Sequence, residues 1–137
     1  MNRTDLQQLS EIRLREAQHL CAGGLWSGAY YLAGYSVECA LKACIAKKVQ
    51  LYDFPDKKTV TDSYSHDLTR LVEVAQLRAL LDQTLAANAD LQRSWNVVKD
   101  WSEQARYEVY AESDARDLLH AVGDGQKGML QWLEAHW

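Results

Sequence analysis

One proline and seven glycines in 137 residues leave the chain little punctuation. So few breakers argue against many short strands and favour long helices. No apolar run approaches the roughly 20 residues that cross a bilayer, so no membrane association is expected. Positive charge is in deficit, with 15 Lys and Arg against 19 Asp and Glu for a net −4. Duplex DNA binding draws on broad phosphate neutralisation, so duplex DNA is excluded as a partner. That balance leaves room for a small, local site for a nucleotide or a single strand. Cysteine is scarce and odd in number: Cys21, Cys39 and Cys44 sit inside apolar helical patterns. They read as small buried hydrophobes of a reducing compartment, not as disulfides. CxxC and HxxxH are both missing, so no zinc or other metal is expected, and no cofactor. The opening MNRTDLQQLSEIRLRE is too charged for a secretory signal, and a cytoplasmic location is the expectation.

What is present is 47% hydrophobic and 25% charged, the globular range. Ala, Leu, Glu, Gln, Lys and Arg dominate, and these are strong helix formers. The fold class expected is all-α, an up-and-down bundle of four to five helices in one domain spanning residues 1–137. Thr4-Asp5-Leu6-Gln7 reads as a capping box opening a helix to about Leu20. Gly23-Gly24 then breaks the chain before a longer helix from about Leu25 to Lys48. YDFPDKKTVTDSYS reads as a long loop. Ser65 is expected to cap a third helix from His66, with Asp67 near its positive end. The helical pattern then runs through a bend near Leu77, and Asn88 interrupts it before a fourth helix in DLQRSWNVVKDW. A polar link from Ser102 to Glu112 leads to Ser113, the expected cap of the last helix.

The second helix carries the most information. Trp26, Tyr30, Ala33, Val37, Ala40, Leu41 and Cys44 share one side, an ordinary core stripe. Gly28, Ala29, Ser36, Cys39, Ala43 and Ala46 form a small flank that permits close approach by another helix. Roughly opposite the core lie Tyr31, Tyr35, Glu38 and Lys42. Glu38 and Lys42, spaced i, i+4, are a helix ion pair worth a few tenths of a kcal/mol if solvated. Beside two tyrosines, the same pair offers a platform for a base or for another subunit. The small flank and tyrosine face leave more apolar surface than one bundle core can cover, so a homodimer is expected.

The stretch A-x-Y-L-A-x-Y-S-V-E-C-A-L-K-A, ending at Ala43, resembles the second helix of HEPN domains, the nucleotide-binding family of higher eukaryotes and prokaryotes. Ser65-His66-Asp67-Leu68 with Leu71 is similar to that family's H-D-L-x-x-L opening. Arg106-Tyr107, followed by an Ala-rich last helix ending in Leu130, Trp132 and Leu133, is similar to its C-terminal part. The resemblance runs from about Glu16 to Trp137 and implies a helical bundle, commonly a homodimer. It further implies a ligand face where Tyr31, Tyr35, Glu38 and Lys42 approach His66, Asp67, Arg106 and Tyr107. On their own residues, His66 and Asp67 are a cap and a surface group. Arg106 and Tyr107 equally suit fixing the loop before the last helix.

Many members of that family cut RNA as toxins or defence components, or work beside a minimal nucleotidyltransferase; others only bind. The cutting members carry an Arg, four to six residues, then a His. The His would serve in proton transfer, and the Arg would stabilise charge on phosphate. Arg13 and His19 match that spacing but stand on the first helix, where the family's motif lies late. Arg116 and His120 stand late but have only three residues between them. The expectation is therefore a module that binds a nucleotide, single-stranded RNA or a nucleotidyltransferase partner in a toxin–antitoxin or defence-type system. A metal-independent endoribonuclease toxin is the alternative, with Arg116 and His120 as its catalytic pair. A structural dimerising adaptor is the third reading.

One further pattern is a decoy. Gly123-Asp124-Gly125-Gln126-Lys127-Gly128 fits G-x-G-x-x-G, but the dinucleotide fingerprint needs a preceding strand. Ala115, Leu118, Val122, Met129, Leu133 and Trp137 keep one helical phase across the glycines. A continuing or bent helix is expected there.

Overall fold

The computed structural model describes residues 1–49 and 53–137. Among them are eight α-helices and one 3₁₀ turn, and no strand, as the breaker-poor sequence predicts. They are α1 (Arg3–Ala22), α2 (Trp26–Lys48), α3 (Lys57–Asp62), α4 (Leu68–Val74), α5 (Arg78–Ala87), α6 (Ala89–Val98), α7 (Glu112–Gly123) and α8 (Met129–Glu134). The 3₁₀ turn, Glu103–Tyr107, lies between α6 and α7.

Helix α2 is the centre of the bundle. It packs on α1, α4, α7, α8 and the 3₁₀ turn. Val37, Leu41 and Cys44 of the predicted core stripe are buried, with Leu71, Leu118 and Met129 against them in one cluster. Fully burying each such Leu or Val contributes about 1.5–3 kcal/mol. The small flank is used within the chain, because α1 lies along it. Ser10 and Ser36, both buried, exchange hydrogen bonds: each hydroxyl donates to the other's carbonyl, at 2.8 and 2.7 Å. A Cβ on Gly28 would stand 3.3 Å from Leu20 Cδ1, a tight contact that a small shift of the leucine side chain relieves.

Helix ends differ from the expected caps in ways the side chains explain. The first capping box uses Asn2 and Asp5 instead of Thr4 and Gln7, each side chain accepting from the other's backbone N–H at 2.9 Å. Asn is the better cap, and Asp reaches back as well as Gln would. The supposed loop after Pro55 holds α3, capped by Asp56, whose carboxylate accepts from the Thr59 N–H. Helix α4 is capped by Asp67 and not by Ser65, and it starts at Leu68. Ser65 instead accepts from the Asp67 N–H. The bend near Leu77 is a break, where Gln76 takes a positive φ of 60° between α4 and α5. Asn88 ends α5 and caps α6, as expected. The final bundle helix starts at Glu112, with Asp114 accepting from the Ala111 N–H, so Ser113 is not its cap.

The glycine-rich segment near the C-terminus does not continue as a helix. Helix α7 ends at Gly123, and Asp124 accepts from the N–H groups of Gln126 and Lys127. A Cβ on Gly128 would sit 2.6 Å from two backbone oxygens, so glycine is required for this turn. Helix α8 then places Met129 and Leu133 in the core. Keeping one apolar phase satisfied two helices separated by a tight turn equally well. Among the described residues no helix is long and apolar enough to cross a membrane.

Candidate functional site

The face opposite the core stripe is not a solvated surface. The segment from Trp101 through the 3₁₀ turn covers it, and the approach to α4 closes its side. Gly34 makes this possible: a Cβ there would lie 2.2 Å from three atoms of the Trp101 ring. Trp101 is therefore pressed onto the α2 backbone and is buried. Tyr31 stacks on it with ring centroids 6.1 Å apart, and Tyr35 follows at 6.0 Å from Tyr31.

One turn beyond Gly34, Glu38 is also buried, with 2% of its surface accessible. Its Oε1 accepts from Lys42 Nζ at 3.0 Å and faces His66 Nδ1 at 2.8 Å. His66 Nε2 in turn lies 3.0 Å from Glu103 Oε2 in the 3₁₀ turn. The imidazole thus spans two carboxylates on separate elements. A neutral ring has one N–H and satisfies one of them; the imidazolium satisfies both. Glu103 continues to Arg106 NH2 at 3.8 Å, and the Arg106 guanidinium lies over the Tyr107 ring, 4.9 Å from its centroid. Tyr107 and Glu103 beside Arg106 hold its guanidinium charged, above its ordinary value. Burial raises the Tyr35 hydroxyl above its ordinary value and keeps it neutral.

Of the eight ligand-face residues expected from the sequence, Glu38, Lys42 and His66 form one ion-pair chain that Arg106 joins through Glu103, with Tyr107 beneath its guanidinium, while Tyr31 and Tyr35 form a separate aromatic set with Trp101. Asp67 does not take part; its carboxylate is spent on the Arg70 N–H of α4. Two members escaped the sequence reading. Trp101 reads as a core tryptophan, and Gly34 was the only hint of what it packs on. Glu103 carries no signal beyond its i, i+3 spacing to Arg106. Glu38 and Lys42 also line a groove of about 650 Å³ between α1, α2 and α3, walled by Leu6, Leu9, Tyr35 and Val60 among others.

Arg116 and His120 share the exposed side of α7 but engage different neighbours. Arg116 Nε donates to Glu112 at 2.8 Å, and its guanidinium lies 5.4 Å from the Trp26 ring centroid. His120 Nδ1 is 3.8 Å from Asp124, beside a cleft of about 260 Å³ that Arg93, Ser94 and Lys127 also line. Arg13 of α1 is paired with Glu16 at 2.7 Å.

A family model matches this architecture over nearly its full length. The model is that of the HEPN domain, and it covers residues 5–134. The chain belongs to the HEPN domain family. No curated protein and no solved structure gives a significant match. Within this HEPN domain the ion-pair network lies between α2, the start of α4 and the 3₁₀ turn, the three segments on which the sequence resemblance rests.

Proposed function

We propose that this HEPN domain is a binding module for a nucleotide, single-stranded RNA or a nucleotidyltransferase partner, acting in a toxin–antitoxin or defence-type system. One observation carries the reading. Arg106, exposed beside Tyr107, is linked to Lys42 of α2 through the Glu103–His66–Glu38 chain, and Tyr31 and Tyr35 of α2 pack with Trp101 just ahead of that 3₁₀ turn. Aromatic rings and cations at one place suit an unpaired base and its phosphate, with stacking worth about 1–3 kcal/mol per base. The bridge is anchored on the buried Glu38, so the pairing of Glu38 is not the near-neutral contact of a solvated helix face. Titration of a labelled single strand into wild-type, Lys42→Ala and Arg106→Ala protein tests the reading.

A second reading, a metal-independent endoribonuclease, rests on Arg116 and His120 lying exposed on α7. Within one chain they engage different neighbours, so that chemistry needs a second copy to complete a composite site. The third reading, a structural dimerising adaptor, leaves the exposed Arg106–Tyr107 pair without a role.

The module works as a homodimer. With α1 on the small flank, support for the dimer comes from Phe54, Val60 and Tyr64, which are exposed around α3 next to the groove. Light scattering at micromolar concentration is expected to give twice the chain mass; a monomer mass counts directly against the dimer.

A further inference from the structure

The groove between α1, α2 and α3 has an apolar knob beside it. Pro55 and Tyr64 line the groove, which has a volume of about 650 Å³. Phe54, next to Pro55, is 99% exposed, so its ring stands wholly in water. Leu6, Ala46, Val49 and Val60 meanwhile wall an open space with room for a phenyl ring. Single exposed apolar side chains are ordinary, but a bare aromatic ring beside an open apolar groove marks an interaction surface. Within one chain the ring and the groove do not meet. Between two copies they can: in a two-fold contact the same patch faces itself, so a knob and a groove side by side become two identical knob-in-groove contacts.

Charge favours the same pairing. In the groove, Lys42 is committed to Glu38 and the nearby Asp5 to the Asn2 N–H. That leaves Arg3, exposed at the start of α1, as the cation the groove presents. Beside the knob, Asp56 is spent on the Thr59 N–H and hydroxyl, and Lys58 on Asp62. Asp53, exposed immediately before Phe54, is the carboxylate that faces water.

We infer that two copies of this chain pair through the groove, Phe54 of each seating in the groove of the other with Asp53 against the partner's Arg3. The seat lies toward Ala46 and Val49, about one to two turns of α2 past Lys42, so Lys42 is not what it covers. This inference rests on the homodimer reading above and gives it a surface and a symmetry.

The test is light scattering over a dilution series, with the dye anilinonaphthalene sulfonate as a probe of open apolar surface. Wild-type protein is expected to be a dimer that brightens the dye little. Phe54→Lys changes a side chain that touches nothing within the chain, so its helical circular dichroism should be unchanged. It should weaken the dimer about tenfold or more and raise dye fluorescence as the groove opens. Arg3→Asp and Asp53→Arg should each weaken the dimer, and the double variant carrying both should recover it, because the swapped charges meet again across the two-fold axis. A wild-type dimer that Phe54→Lys leaves intact overturns the seat while sparing the homodimer. A wild-type monomer overturns both. Dye that brightens on wild type as strongly as on Phe54→Lys leaves the groove to a small apolar ligand and also overturns the seat.

Discussion

Gly34 and Trp101 fit together as a saddle and its rider: the indole ring occupies the space of the missing Cβ, 2.2 Å from where that carbon would stand. Alanine at position 34 favours the helix by about 1 kcal/mol on propensity alone. Displacing a buried ring costs about 1–3 kcal/mol, as overpacking does, and here the ring must move as a unit. The clash is expected to win. Gly34→Ala should lower unfolding stability in urea and alter the near-ultraviolet circular dichroism of the tryptophans. A variant as stable as wild type with an unchanged spectrum shows that Trp101 does not sit on the helix backbone.

Buried thiols give a second prediction. Burial pushes the thiols of Cys39 and Cys44 up to about 11. At pH 8 that leaves on the order of one thiolate per thousand, and the thiolate is the reactive form. Folded protein treated with iodoacetamide at pH 8 should leave both unmodified by peptide mass mapping, and urea should release them. Rapid labelling of either in the folded state contradicts this packing.

The sequence reveals some of this site through local chemistry and hides the rest. A helical wheel of α2 identifies Val37, Leu41 and Cys44 as core, because the bundle interior meets one face of the helix. The same wheel sets Glu38 roughly opposite and leaves its burial invisible. That burial depends on Trp101 and His66, more than twenty residues away along the chain, folding over the face. Capping residues were readable as a class but not always by position: Asn2 and Asp67 displace the expected Thr4 and Ser65, and Asp56 caps a helix in a stretch that reads as loop. The turn at Asp124 to Gly128 was hidden for a different reason. Apolar residues kept one phase on both sides, and only the close backbone oxygens around Gly128 require the break.

Chemistry at α7 gives the third prediction. Phosphodiester cleavage needs proton transfer and charge stabilisation at one phosphate, each typically worth about 10²-fold or more. Arg116 is turned to Glu112 and Trp26 while His120 is turned to Asp124. Metal-free protein incubated with mixed single-stranded RNA should therefore not cut it at a useful rate. Cleavage that disappears in both His120→Ala and Arg116→Ala promotes the toxin reading over the binding module.

The central claim is that the α2 tyrosine face, Lys42 and Arg106 form a ligand site and not a structural clamp alone. Fluorescence anisotropy of a labelled single-stranded RNA, paired with melting curves of the same proteins, tests it most directly. Arg106→Ala should weaken binding severalfold while the melting temperature stays within a few degrees of wild type, since its part-exposed ion pair with Glu103 contributes about 0–1 kcal/mol to stability. Lys42→Ala should weaken binding as well, and it also lowers the melting temperature, because it leaves the buried Glu38 with His66 alone. Unchanged RNA affinity in both variants, or weaker binding of Arg106→Ala only in step with lost stability, contradicts the account.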